Sequence, residues 1–357
     1  MCPSRPSAGS VVALIWDRAL STPWSDDDAA RLSNWIVVAA MRDSNDYRRS
    51  FPASNEEAMS KPRVSFELYP PRNAVTEEAV WSTVRGLEAF SPRCLSVTYP
   101  SNADGRAASR ALIGRLLAET SVPPVAHLTV VGASRGELRA KVRELLTAGV
   151  RDFLALRGDA APGQEWEPHP DGLNYAADLV ALIRGVEAEL RADGVDLGTV
   201  DVGCAVYPHA GAESRMREFR AMRAKQVAGA SFSITQVFYR AAEYGALLSG
   251  APAAGVSIPI MPGVIPFTDP ARLERLAKLT GVAVPDHVRA LADIADPQER
   301  FDRGIQLTAD LVEETLARGA PGIHIFTFNQ LEPAAALTAE LIRRGLIAAP
   351  TPLKGQS

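Results

Sequence analysis

The sequence predicts an α/β protein: a single (β/α)8 TIM-type barrel with a poorly structured N-terminal extension. Three observations carry this. From Met59 onward, eight short apolar runs alternate with longer amphipathic stretches, and strand–helix alternation implies a parallel sheet. A regular series of such units favours a closed barrel over an open doubly wound sheet, and no GxGxxG follows any run. Each run is also apolar through its middle and polar near its C-terminal end.

In chain order, strands are expected at 64–69 (VSFELY), 94–99 (CLSVTY), 124–131 (PVAHLTVV), 152–158 (DFLALRG), 200–208 (VDVGCAVYP), 231–239 (SFSITQVFY), 257–264 (SIPIMPGV) and 322–329 (GIHIFTFN). They are rich in Val, Ile and Phe and bounded by Gly, Pro or Asp. The helix TEEAVWSTVRGLEAF should open at Thr76, with acids in its first turn to suit the orphan N–H groups and the helix dipole. SRGELRAKVRELLTAGV places Ser134 three residues before Glu137, a capping box, and stops at Gly149. DGLNYAADLVALIRGVEAELRA and QERFDRGIQLTADLVEETLARG continue the pattern.

The barrel is assigned to 59–347 and a C-terminal tail to 348–357. Residues 1–58 are rich in Ser, Asp, Arg and Asn and show only fragments of helical pattern. Either this segment is a non-native or disordered appendage, with Met59 the natural start, or it is a genuine extension that caps the domain.

The chain has 357 residues, 46% hydrophobic and 22% charged, with a net charge of −4. That balance gives no reason to expect a nucleic-acid or membrane-surface partner. No apolar run reaches transmembrane length, and VVALIW is followed at once by Asp17 and Arg18, too short for a signal peptide. Three cysteines, Cys2, Cys94 and Cys204, without a CxxC, suit a reducing cytoplasm.

In a parallel barrel, all C-terminal strand ends open on one mouth, where loops build the active site. Glu67, Thr98, His127 with Thr129, Asp159, Tyr207 and Gln236 therefore gather on one rim. Each also has a bland explanation: a structural Thr or Tyr, a satisfied core amide, or, for Glu67, a core acid paired with an arginine. The histidines are scattered and no HExxH occurs, so no metal site is expected. No GxSxG elbow supports serine hydrolysis. Two carboxylates, several hydrogen-bonding side chains and nearby aromatics (Phe66, Tyr69, Phe238, Tyr239) suit a flat heteroaromatic ligand.

The segments VSFELYPPR, LSVTY, AHLTV, LALRGD, AVYP, AGASFSITQVFY, IMPGVIP and GIHIFTFN stand in the order found in methylenetetrahydrofolate reductases, and EWEPHPDGLNYAADLV is similar to the family's loop and helix after the fourth strand. The resemblance covers Met59 to about Ile347. It implies a cytoplasmic flavoprotein of one-carbon metabolism and methionine biosynthesis. Such an enzyme binds FAD at the barrel mouth, takes hydride from NADH or NADPH, and passes it to 5,10-methylenetetrahydrofolate, giving 5-methyltetrahydrofolate. Barrels of this kind often self-associate, so a homo-oligomer is compatible with it.

The chemistry gives these residues roles. The folate's methylene bridge becomes a hydride acceptor when protonation of N10 opens it to an iminium at N5, which needs an acid that is protonated near neutral pH. Glu67 matches the family's general acid, and its apolar strand disfavours the ionised form. Asp159 matches the carboxylate that meets adjacent pterin donors and favours the cationic iminium. Gln236 and Phe238 fall on the substrate side. Thr98, His127, Arg157, Gly158, Tyr175, Tyr207 and Lys225 fall where the family contacts flavin or its diphosphate.

Departures from the family cluster on the flavin side. Pro100 follows the second strand where a Gly-containing turn is common. YPHAGAES after the fifth strand carries His209 but lacks the usual acid and His-Pro pair, and Glu218 stands where Asp is frequent. Three readings follow: an FAD enzyme with a modified pocket, a flavin-independent reductase that moves hydride directly to folate, and a diverged pterin-binding module without turnover.

Overall fold

The computed structural model describes residues 62–160, 165–208 and 212–350. The expected extension over 1–58, His209 and the end of the expected tail lie outside these residues.

Nine parallel strands form one sheet. They are β1 (Arg63–Leu68), β2 (Leu95–Val97), β3 (Pro124–Thr129), β4 (Asp152–Leu156), β5 (Asp201–Val206), β6 (Phe232–Thr235), β7 (Ile260–Met261), β8 (Gly263–Val264) and β9 (Gly322–Phe326). All eight expected strands are present. The seventh is split at Pro262, which has no N–H to give a ladder. Its first half pairs with β6 and its second with β9, and β9 pairs with β1. The ring thus closes through the chain at Pro262, whose carbonyl accepts from His324 N at 2.9 Å.

The larger helices are α1 (Ala74–Glu88), α2 (Ala103–Glu119), α3 (Arg135–Thr147), α4 (Ala176–Ala192), α5 (Ala212–Val227), α6 (Ala241–Gly250), α7 (Pro270–Thr280), α8 (Asp286–Arg289), α9 (Pro297–Ala317) and α10 (Leu331–Arg343). The first begins before the expected Thr76. Asn73 is its cap, and Thr76 is the reciprocal partner: Asn73 Oδ1 accepts from Thr76 N at 3.0 Å, and Thr76 Oγ1 accepts from Asn73 N at 2.9 Å. The Ser134–Glu137 box forms as read, with Ser134 N donating to Glu137 Oε2 at 2.8 Å.

Alternation along the strands separates two cores. Phe66, Leu68, Leu95, Val97, Leu128 and Phe153 point outward against the helices. Cys94, Val125, Leu154, Phe232, Ile234 and Met261 form a smaller apolar cluster of their own. They share inward strand phase with Ser65, Glu67, Ser96, His127, Thr129 and His324. Strand registers put Ser65 opposite His324 and Glu67 opposite Ser96.

Candidate active site

Glu67 lies one residue before the end of β1 and is 8% exposed. Its ion-pair neighbours among the described residues are two histidines: Oε2 is 3.9 Å from His127 Nε2 on β3 and 4.0 Å from His324 Nε2 on β9. No arginine among the described residues forms an ion pair with it. Both histidines are buried. Burial pulls His127 down to about 4, against the pull of the Glu67 charge and with a smaller push from His324, so its imidazole is neutral near pH 7.

That depression has a stability consequence. His127 titrates near 6.5 when solvated and near 4 when folded, so between these values the unfolded chain binds more protons. The contribution of neutral His127 is complete above pH 6.5 and is lost as pH falls through 4. His127→Gln is expected to flatten this acid limb. Urea midpoints at pH 7, 5.5 and 4 would show it as a smaller fall than in the wild type.

Three buried polar atoms on the same wall have no hydrogen-bond partner among the described residues: Thr98 Oγ1 after β2, and His127 Nε2 and Thr129 Oγ1 on β3. Buried polar groups are nearly always satisfied, so this wall has the chemistry to receive a ligand edge. Thr98 is itself held by its backbone: its N donates to Leu68 O at 3.0 Å, and its carbonyl accepts from Ser109 Oγ at 2.9 Å.

A second group surrounds Tyr207. Its phenol is pushed up by burial first, then by the Asp159 and Glu218 charges, with Arg157 opposing. Arg157, Asp159, Tyr207 and Glu218 therefore lie together. The Arg157 guanidinium stands 5.0 Å over the Trp166 ring, and Trp166 Nε1 is buried without a hydrogen-bond partner among the described residues. Gly158 joins the two groups: its φ is +82°, and a Cβ there would come within 2.6 Å of Val131 Cγ1 and 3.0 Å of Thr129 Cβ.

The remaining expected residues are placed differently. Lys225 Nζ donates to Ala205 O at 2.8 Å, tied to β5 rather than solvated, and two of its three protons remain. Gln236 is half-buried just past β6, and its Oε1 accepts from Val237 N at 2.9 Å. Tyr175 is 67% exposed at the start of α4. Phe238, expected on the substrate side, has no exposed surface. The strand ends at Thr235, the chain turns, and Phe238 is fully buried, stacked on Tyr244 at 5.9 Å. It supports the loop that carries Gln236. The unusual Pro100 is accommodated by packing on Gly105, while Arg106 reaches both Pro100 O and Val131 O at 3.4 Å.

Sequence reading missed His324, Ser65, Ser96 and Trp166. The alternation in GIHIFTFN does put His324 on the inner face, but nothing local says which strand it meets. It also missed the cross-tie above the acid. Thr327 Oγ1 donates to Glu67 O at 2.6 Å, and the Asn329 amide bonds both Tyr69 N (2.8 Å) and Tyr69 O (2.9 Å). Phe328 and Asn329 reach these positions with φ of 51° and 58°, a conformation that is uncommon for such residues.

Comparison with known proteins places the chain among similar sequences and folds. The family model described as methylenetetrahydrofolate reductase matches residues 53–341. The 5,10-methylenetetrahydrofolate reductase of Pectobacterium carotovorum subsp. carotovorum is 31% identical over 294 residues, covering 81% of this chain and 93% of that protein. That of Salmonella typhimurium is 29% identical over 304 residues, covering 84% and 97%. Among solved structures, an uncharacterized protein from Clostridium thermocellum that binds two copies of 5-methyl-5,6,7,8-tetrahydrofolic acid superposes with a TM-score of 0.53. It is 16% identical and covers 80% of this chain and 95% of its own, a likeness of fold.

Proposed function

The chain belongs to the methylenetetrahydrofolate reductase family, and from that membership we propose that it reduces 5,10-methylenetetrahydrofolate to 5-methyltetrahydrofolate. The hydride comes from NADH or NADPH and is relayed through FAD. We place the reaction in cytoplasmic one-carbon metabolism, with the methyl group serving methionine synthesis. The observation that carries the reading is the wall of unpartnered Thr98, His127 and Thr129 atoms beside buried Glu67.

These residues fit a flavin. Unsatisfied buried donors and acceptors suit the polar edge of an isoalloxazine, and Arg157 and the remaining Lys225 protons suit a diphosphate. Bound FAD would supply the two-electron relay between nicotinamide and folate. The chain's own part is binding and proton supply. Asp159, exposed after β4, accepts from adjacent pterin donors. Gln236 bonds another pterin edge. Glu67 delivers a proton to N10, the C–N10 bond breaks with its electrons left on nitrogen, and the iminium at N5 becomes the acceptor. Burial lowers the basicity of His127, which makes it a poor proton acceptor beside the acid.

Purified protein is expected to show flavin absorbance that bleaches on anaerobic titration with NADH or NADPH and returns on adding 5,10-methylenetetrahydrofolate, with 5-methyltetrahydrofolate released. Colourless protein that still forms product would replace the relay with direct hydride transfer. Absence of product with either nicotinamide would overturn the proposal. No helix among the described residues is long and apolar enough to cross a membrane.

A further inference from the structure

Arg157 is exposed after β4, two residues before the exposed Asp159. Both charges act on the Tyr207 phenol, so the two side chains share one neighbourhood. Opposite charges so close attract each other, and an arginine with free rotamers can close on such a carboxylate. It does not do so here. Among the described residues the Arg157 side chain has neither an ion pair nor a hydrogen bond. Its guanidinium stands instead 5.0 Å over the ring of Trp166, well within the reach of a cation–π contact.

Trp166 is not a loose surface ring. It packs against the main apolar core, and its Nε1 is buried. The stretch that follows it is fastened to the loop before α3. Arg135 N donates to Asp171 O at 2.8 Å, and Ser134 forms a backbone bridge with Gly172. A Cβ at Gly172 would stand 2.8 Å from Ala133 O, so the close approach of the two loops requires glycine there. Arg157 is held from its own backbone as well, since Val131 N donates to its carbonyl at 3.2 Å.

An ion pair would spend the N–H fork with which a guanidinium grips phosphate. A ring face attracts the same cation but has no lone pair to accept that fork, so the donors stay available. Holding the side chain beforehand also removes part of the entropy lost when it meets an anion.

We infer that Trp166 is a positioning residue: it holds Arg157 over its ring and away from Asp159, so that the guanidinium stays free for a diphosphate and the carboxylate stays free for the pterin. The inference rests on the reading of this mouth as a site for FAD and folate, and adds what keeps its two opposite charges apart. Trp166 acts through Arg157.

Release of FAD from the purified full-length protein on dilution, followed by the rise in flavin fluorescence, gives a dissociation constant. Trp166→Leu keeps an apolar side chain against the core but loses the ring. It should raise that constant about tenfold, the scale of a partly desolvated cation–π contact. Trp166→Phe offers a face again and should recover most of the loss. At saturating FAD, Trp166→Leu should also raise KM for folate with kcat nearly unchanged, because Arg157 then engages Asp159. Arg157→Met keeps the aliphatic stem and removes the fork. In that background, Trp166→Leu should change FAD binding less than about twofold, as expected of residues that act as one unit. A full tenfold loss there too would show that Trp166 merely props the loop, and would overturn the inference. Inorganic diphosphate, titrated calorimetrically into protein freed of flavin, reads the same contact without FAD, and Trp166→Leu should bind it about tenfold more weakly than the wild type. Equal binding of both probes by the two proteins overturns the inference as well. A wild type that shows the diphosphate difference but never holds FAD keeps the inference and sinks the flavin relay.

Discussion

Glu67→Gln is expected to lower the rate of 5,10-methylenetetrahydrofolate reduction by about 10²–10⁴-fold, the usual worth of a general acid. The oxidation of NADH by the protein's electron-accepting group should persist. Glutamine keeps the shape and hydrogen-bonding reach of the acid but has no proton to give to N10. It should also fold, because its amide can donate to the histidine nitrogens that now flank Oε2 at 3.9 and 4.0 Å. Stopped-flow measurement of the two half-reactions under nitrogen separates the effects. Folate reduction at near wild-type rate would remove Glu67 from the mechanism.

Gly158→Ala carries the second large effect. At a φ of +82°, an L side chain is disfavoured by roughly 1–2 kcal/mol. At this position the added Cβ would also sit 2.6 Å from Val131 Cγ1 and 3.0 Å from Thr129 Cβ. The β3 wall cannot yield without moving Thr129, so the loop after β4 must shift and carry Arg157 and Asp159 with it. Gly194 is the control: its φ is +84°, but nothing lies within 4 Å of its added Cβ. Gly194→Ala should cost only the backbone term, about 1 kcal/mol, with folate kinetics unchanged. Gly158→Ala should lower thermal stability further and raise KM for folate at least about tenfold, since small misplacements of binding groups cost that much. Equal melting temperatures and equal KM for the two variants would show that the contact with β3 does not matter.

Much of the architecture was legible from local pattern. Apolar alternation with period 2 and helix-period stretches are written residue by residue, so all eight strands could be placed. Their boundaries were less legible. Residues 236–239 continue the apolar run of β6, yet the strand stops at Thr235, because partner pairing and not composition ends a strand. The early stop also leaves Phe238 beyond the strand, fully buried against Tyr244. The sequence puts Lys225 where the family contacts flavin or its diphosphate, and only the passage of α5 across β5 shows that it also reaches the Ala205 carbonyl.

By itself the sequence determined that polar residues sit at the C-terminal ends of parallel strands, and that one of them is an acid in an apolar strand. Those are local properties, set by the order of side chains along a few residues. Only the tertiary structure decided what that acid faces. Closure of the ring at Pro262 brings β9 against β1, and the inward phase of three strands then brings His324 from one side and His127 from the other to Glu67. The contact depends on register across strands far apart in the chain. No short stretch encodes that register, because it is the outcome of the whole barrel closing.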